Sequence, residues 1–448
     1  MLVFCDLVDQ LVVGEEAAEE VEARMRALAL SSRLTPHGWE TLIRKALEVI
    51  ERVPCRGLAV ARLLHWAADA QGEAIWRAQT GLLLAYACNR CREFGEAALQ
   101  ARRTAVLFKA LGDVAARGLC ELELGVAAYL QGWHGRALDH LRRARLFLTE
   151  ARAHSELARV DRWIAAVYAD KGELDEAAAW CQAALRQCRK HAVGVLERTR
   201  CNLLGALIAI YRNDYVEAVA LLRPLFSLLK REGYSFELAH GHKLMGLALT
   251  QQKLYAEAEG NLLKAHRVYA AARVEYEVGI CERALAILYA KSGRLSQAME
   301  HISRAMDIFR ALGHELALAR CMHALGSVHL RFARYQEAVE AYRQAADFFE
   351  ARELEVEAIV GRLNEAQALE RLGHYHEALA IYEKGRGVLQ RRGLDVYLAH
   401  CLEHMAEIHK RLGHHRLARR LYRQAKVLYE IRGIMTSAAA CETALATL

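Results

Sequence analysis

The chain has 448 residues, 54% hydrophobic and 26% charged, with only 3 prolines and a formal net charge of +7. This balance excludes a disordered or collagen-like chain and points to an ordered, almost wholly helical protein. The mild positive charge permits an acidic partner without demanding one, and no stretch approaches the ~18 uncharged apolar residues of a membrane span, so no membrane role is expected.

In chain order, MLVFCDLVDQLVV at residues 1–13 is apolar, but no basic residue precedes it and Asp6 and Asp9 interrupt it. A signal peptide or transmembrane helix is therefore disfavoured. Residues 14–75 are helical in pattern, with Pro36 and Pro54 punctuating two or three helices. The stretch 1–75 reads as a divergent helical N-terminal cap or as degenerate repeats.

From residue 76 the chain repeats itself. An alanine within a QEA-type motif recurs at Ala97, Ala137, Ala177, Ala218, Ala258, Ala298, Ala338, Ala378 and Ala418, at intervals of 40 with one of 41, giving nine copies. Twelve residues earlier stands a glycine or alanine, as at Ala85, Gly125, Gly246 and Gly326, and never anything larger. Two helices must cross closely there. Five residues before the motif alanine come Gly132, Gly172, Asn213, Gly293, Gly373 and Gly413, residues that take positive φ and end a helix. Arg92, Lys253 and Ala333 depart from this pattern. Each unit is thus helix, tight turn, helix and short loop, over residues 76–432. Residues 433–448 begin a tenth copy as one C-terminal helix, whose outer face is apolar apart from Glu442. Either the chain is cut from something longer, or that end docks on an effector or on a second copy.

The pattern of Gly326, Tyr335, Ala338, Tyr342 and Ala345 in the seventh copy resembles the tetratricopeptide repeat. The period exceeds that family's usual length, and the proline that closes its second helix is missing. Both features are similar to the 40-residue subtype of the Pins/LGN-type polarity adaptors and the bacterial MalT-like domains. The resemblance implies an all-α, right-handed α-solenoid of about nine hairpins behind the cap, binding extended peptides or helices on its concave side. Carrying the family's groove positions across gives Arg159, Arg162, Arg200, His240, Lys243, Arg283, Lys291, Arg320, His323 and Arg331, with Asp170 the only acid among them. A positive middle of the groove and a ligand acidic in part are the expectations. Leu82, Leu83, Tyr86, Leu119, Leu122, Val126, Tyr129, Leu203, Leu204, Leu207, Ile210 and Tyr211 make the same face apolar in the first, second and fourth copies, to pack on the cap or to anchor a ligand helix. The family's carboxylate clamp is not reproduced, since Lys243 and Asn364 fit two of its positions in different copies.

No phosphate loop, nucleophile elbow or H-E-x-x-H pair occurs, so no catalytic residue, cofactor or metal is assigned. Cys88 and Cys91 form a lone C-x-x-C and read as structural thiols. His374, His376, His414 and His415, or His400 and His404, offer pairs of nitrogen ligands with no third partner and read as polar surface residues. Cys120, Cys201, Cys281, Cys321, Cys401 and Cys441 share one place in successive copies, which suits packing and a reducing, cytoplasmic setting. The leading reading is a non-enzymatic interaction scaffold or adaptor binding a protein or peptide segment in the groove. A second reading is a sensor or regulatory module controlling an effector such as a transcription factor, protease or cyclase. Nucleic acid is disfavoured, and would predict affinity falling steeply with salt.

Overall fold

In a computed structural model, the described residues are 34–448 together with Ala23, Arg26 and Ala27; the expectations for residues 1–13 and for the first part of the cap lie outside them. The described residues form helices joined by short turns, with no strand among them. Helix α1 (Pro36–Arg52) opens where the Thr35 hydroxyl accepts a hydrogen bond from the Gly38 amide at 3.2 Å. Helix α2 (Pro54–Gln71) begins on the next proline. Proline suits both places because its missing N–H would find no partner in a first helical turn.

The hairpins follow in order: α3 (Ala74–Arg90) with α4 (Phe94–Leu111), α5 (Val114–Leu130) with α6 (His134–Glu150), α7 (His154–Asp170) with α8 (Leu174–Lys190), and α9 (Val195–Tyr211) with α10 (Tyr215–Glu232). Then come α11 (Ser235–Gln251) with α12 (Tyr255–Ala271), α13 (Glu275–Lys291) with α14 (Leu295–Ala311), and α15 (Glu315–Arg331) with α16 (Tyr335–Ala351). Last are α17 (Glu355–Leu372) with α18 (Tyr375–Arg392), α19 (Asp395–Arg411) with α20 (His415–Ile431), and α21 (Met435–Ala446). The fold is an all-α helical-repeat solenoid, as the period implied. Its chain divides into two compact units, Met1–Cys281 and Glu282–Leu448. No helix among the described residues is long and apolar enough to cross a membrane.

The small residue of each first helix has a steric cause. A Cβ added at Gly246 would stand 2.6 Å from Leu262 Cγ, and one at Gly326 2.8 Å from the Tyr342 ring, both impossible contacts. The intra-hairpin turn is left-handed in every copy, including the three that lack glycine or asparagine: Arg92, Lys253 and Ala333 hold φ of 69°, 65° and 57°. A side chain there costs roughly 1–2 kcal/mol, so the packing of the flanking helices, and not the turn residue, fixes the conformation. The loops between hairpins adopt the same conformation, at Gly112, Arg152, Ala192, Gly233, Arg273, Gly313, Glu353, Gly393 and Gly433.

In the first unit, Trp39 of α1 stacks on Trp76 of α3 with ring centroids 6.0 Å apart, fusing cap and first hairpin into one core. Leu83 and Tyr86 belong to that core, so this part of the apolar inner face does pack on the cap. In the second unit, Tyr342, Tyr382, Cys401 and Tyr429 share a core with Cys441 of α21. All six cysteines that recur at one repeat position are buried. Helix α21 buries Ala438 and Cys441, while Met435 remains 63% exposed.

Candidate binding hollows

The inner surfaces of the two units differ in how they dispose of charge. The first helices of the hairpins in the first unit surround a cavity of about 230 Å³, lined by Arg90, Arg92, Arg159, Arg162, Arg200 and His240 and by aromatic and aliphatic side chains. Nearly every cation meets a buried carboxylate. Arg159 reaches Glu123 at 3.2 Å, Arg162 reaches Glu197 at 2.5 Å, Arg200 reaches Glu237 at 2.7 Å, and Lys243 reaches Glu277 at 2.8 Å. These pairs form a ladder, because the carboxylate and its cation come from neighbouring hairpins.

A second set of contacts runs across much longer stretches of chain. Glu51 of α1 accepts from Arg200 of α9 and from the Tyr86 hydroxyl. Arg90, at the end of α3, donates to Glu237 of α11 at 3.2 Å and lies 4.9 Å from the centre of the Phe236 ring. Arg92 pairs with Glu277 and lies over Tyr276. Cys55 packs among Phe236, Tyr269 and Val274, its thiol 3.8 Å from the Arg273 carbonyl. The cap and first hairpin are therefore sealed onto the fifth and sixth hairpins along one seam.

Burial and pairing compete at these groups. Burial pushes the Glu51 carboxyl up, but Arg200 and then Arg90 outweigh it and leave it at about 2. Glu277 is likewise held well below the usual carboxylate range, against burial, by Lys243 and Arg92. At Glu123 burial prevails over Arg159 and its pKa rises. Burial, reinforced by Lys243, lowers His240 to about 3 and keeps the imidazole neutral.

The second unit presents a larger hollow, about 620 Å³, lined by Arg283, Lys291, His323, Arg331, Asn364, Gln367, His400 and His404, and no carboxylate lines it among the described residues. Its polar groups are held in place. The Asn364 amide lies 2.9 Å from His323 Nε2, the Tyr342 hydroxyl donates to Ser327 at 2.9 Å, and His404 Nδ1 is fixed by Glu370 at 2.9 Å. The Tyr382 ring stacks on His404 at an interplanar angle of 4°, and its buried hydroxyl has no hydrogen-bond partner. Burial, then the neighbouring Arg283, depresses His323 to about 4.

The ten residues singled out from the sequence thus fall into two sets. Arg159, Arg162, Arg200 and His240 line the first hollow, while Lys243 is buried against Glu277. Arg283, Lys291, His323 and Arg331 line the second, but Arg320 is drawn 2.9 Å from Glu357 and does not. The uniformly positive groove is replaced in the first unit by a neutralised one, since Glu51, Glu123, Glu197, Glu237 and Glu277 escaped the count of groove positions. A signal existed for most of them: Glu197, Glu237, Glu277 and Glu357 occupy one repeat position, at the start of the first helix. Glu51 carries no periodic signal. Cys88 is buried in the first core, with its thiol pushed up to about 12 by burial. The three metal-capable groups Cys88, Glu93 and Glu96 gather nearby, but Arg62 pairs with both carboxylates.

A family model described as tetratricopeptide repeat matches residues 277–351. No curated protein matches the sequence. Among solved structures, a Rap protein complexed with Competence and Sporulation Factor is similar with a TM-score of 0.61 at 15% identity, over 79% of this chain and 98% of that one. The apo quorum sensor NprR from B. thuringiensis matches with a TM-score of 0.50 at 16% identity, over 77% and 97% of the two chains. A Rap conjugation gene regulator of the plasmid pLS20, in complex with the Phr* peptide, matches at 0.50 and 14% identity, over 74% and 97%. Identities this low carry the fold alone.

Proposed function

From the premise that the chain belongs to the tetratricopeptide-repeat superfamily, we propose that it is a non-enzymatic interaction module whose second unit captures a peptide segment acidic in part. The observation that carries this reading is the hollow lined by Arg283, Lys291, His323 and Arg331, with amides and apolar side chains among the rest of its described lining. Guanidinium and ammonium groups facing a shared concavity attract an anionic side chain or terminus, and the amides of Asn364 and Gln367 supply hydrogen bonds that fix it. Ile287, Leu330, Leu363 and Tyr397 in the same wall give the apolar anchor that a charged contact alone lacks.

A regulatory use of that capture has its own support. Two solved structures of this fold are described with a bound factor or peptide, and one of those proteins is a conjugation gene regulator. In this reading the captured peptide alters the affinity of the chain for an effector.

An immobilised peptide library graded in acidic content tests the capture. The purified chain is expected to retain acidic members, and the double variant Arg283→Glu, Arg331→Glu to lose them by more than about tenfold, since each charge-assisted hydrogen bond contributes roughly 1.5–3 kcal/mol. Retention that survives the double reversal refutes the assignment.

A further inference from the structure

Four residues that line the first unit's cavity each carry a buried polar atom that the ladder leaves without a hydrogen-bond partner: Asn89 Oδ1, Glu237 Oε2, Arg90 Nε and Arg92 Nε. Asn89 is only 4% exposed and Glu237 only 3%. Neither can turn to satisfy itself. The Asn89 amide nitrogen is committed to Glu123, donating to its carboxylate at 2.8 Å and to its carbonyl at 3.0 Å. The other oxygen of Glu237 accepts from both Arg90 and Arg200. A buried acceptor or donor left unmade costs roughly 1–3 kcal/mol, so a wall carrying several of each is prepared for a molecule that supplies both.

The remainder of the lining is apolar, with Val126, Trp163, Leu203 and Leu207 prominent. The charges behind the wall also nearly balance. Arg90, Arg92, Arg159, Arg162, Arg200 and Lys243 face Glu51, Glu123, Glu197, Glu237 and Glu277, six cations against five carboxylates, so the surplus is a single charge. A ligand with net charge therefore gains little from the surrounding field, whereas one carrying both signs close together can satisfy both kinds of orphan atom. The cavity, about 230 Å³, accommodates a molecule of amino-acid size rather than a peptide.

We propose that the first unit's cavity binds a free α-amino acid with an apolar side chain, its ammonium directed at Asn89 Oδ1 and Glu237 Oε2, its carboxylate at Arg90 and Arg92, and its side chain among Val126, Trp163 and Leu207. This site is separate in unit, size and chemistry from the hollow assigned to the peptide. Because Arg90, Arg92 and Glu237 also build the seam, a bound amino acid bears directly on the closure between the cap with its first hairpin and the fifth and sixth hairpins.

Titration calorimetry of the full chain with L-leucine, L-isoleucine, L-phenylalanine and L-tryptophan tests the proposal. At least one is expected to bind saturably, and its decarboxylated amine and its N-acetyl derivative each at least about tenfold more weakly. Val126→Phe and Ala166→Leu fill the cavity without touching an ion pair, and are expected to abolish the binding while the thermal midpoint is kept. Asn89→Ala serves should neither filled variant fold, and is expected to weaken binding by about tenfold. Failure of all four amino acids to bind overturns the proposal, as does equal affinity for the amine or the N-acetyl derivative, or unchanged binding in the variants. Peptide capture by the second unit is read independently on the peptide library, so loss of one reading leaves the other standing.

Discussion

The hollow of the first unit and the hollow of the second are built from the same helix positions, yet one pairs its arginines with buried carboxylates of its own wall, while the other has cations and no carboxylate among its described lining residues. Arg162, Arg283 and His323 occupy the same place in the third, sixth and seventh copies. Arg162 meets Glu197 at the start of the next hairpin, whereas the position matching Glu197 in the hairpin after Arg283 is Ala317, and the one after His323 is Glu357, which is drawn to Arg320 while the Asn364 amide stands beside the imidazole. The lesson is that a cation on a repeat's inner face declares a binding site only after the acid of the following repeat has been read.

The largest way to break that contrast is Arg200→Ala. It takes from Glu51 and Glu237 their nearest cation and leaves Arg90 alone to face both, and the unfolding free energy from urea denaturation is expected to fall by about 3 kcal/mol. Next comes Gly246→Ala, whose Cβ would meet Leu262 at 2.6 Å; a loss of roughly 1–3 kcal/mol by the same measurement is expected from overpacking. Acid sharpens the comparison. His240 and His323 titrate near 3 and 4 in the folded chain, below the ordinary 6.5, so each favours the neutral form. The stability they contribute is complete above about pH 6.5 and is lost as pH falls toward 4 for His323 and toward 3 for His240, because the unfolded chain binds the extra protons. The urea midpoint should therefore drop across that window, and His323→Asn should flatten the drop. Glu51 likewise loses its contribution as pH falls from 4.5 toward 2. The smallest effect is Arg331→Ala in the second unit, an exposed residue whose removal should change stability by no more than ~0.5 kcal/mol while weakening acidic-peptide capture. A stability loss at Arg331 like that at Arg200 would erase the distinction between the units.

Most of the fold was legible because it is periodic. The small residue at Gly125, Gly246 and Gly326 and the left-handed turn at Gly132, Gly293 and Gly413 state one local geometry again and again, and the structure obeys it even where Arg92 or Lys253 replaces glycine. The second turn of each repeat was less visible, since Arg152, Ala192, Arg273 and Glu353 carry positive φ without any residue type that announces it. The site was half legible. Offsets from the motif alanine placed Arg162 and Arg283 on inner walls, but the charge of a wall depends on pairs formed between hairpins, as in Lys243 with Glu277. The seam lay beyond reach, because Glu51 and Arg200 meet across 149 residues and Glu51 stands outside the repeating pattern.

The ladder has a mechanical consequence. In Arg162 with Glu197, Arg200 with Glu237 and Lys243 with Glu277, one partner belongs to each of two successive hairpins, so no hairpin of that stretch can peel away without abandoning an ion inside its neighbour. Opening there must spread over several turns at once, and backbone amides from α7 to α13 should exchange with deuterium as one block instead of fraying singly.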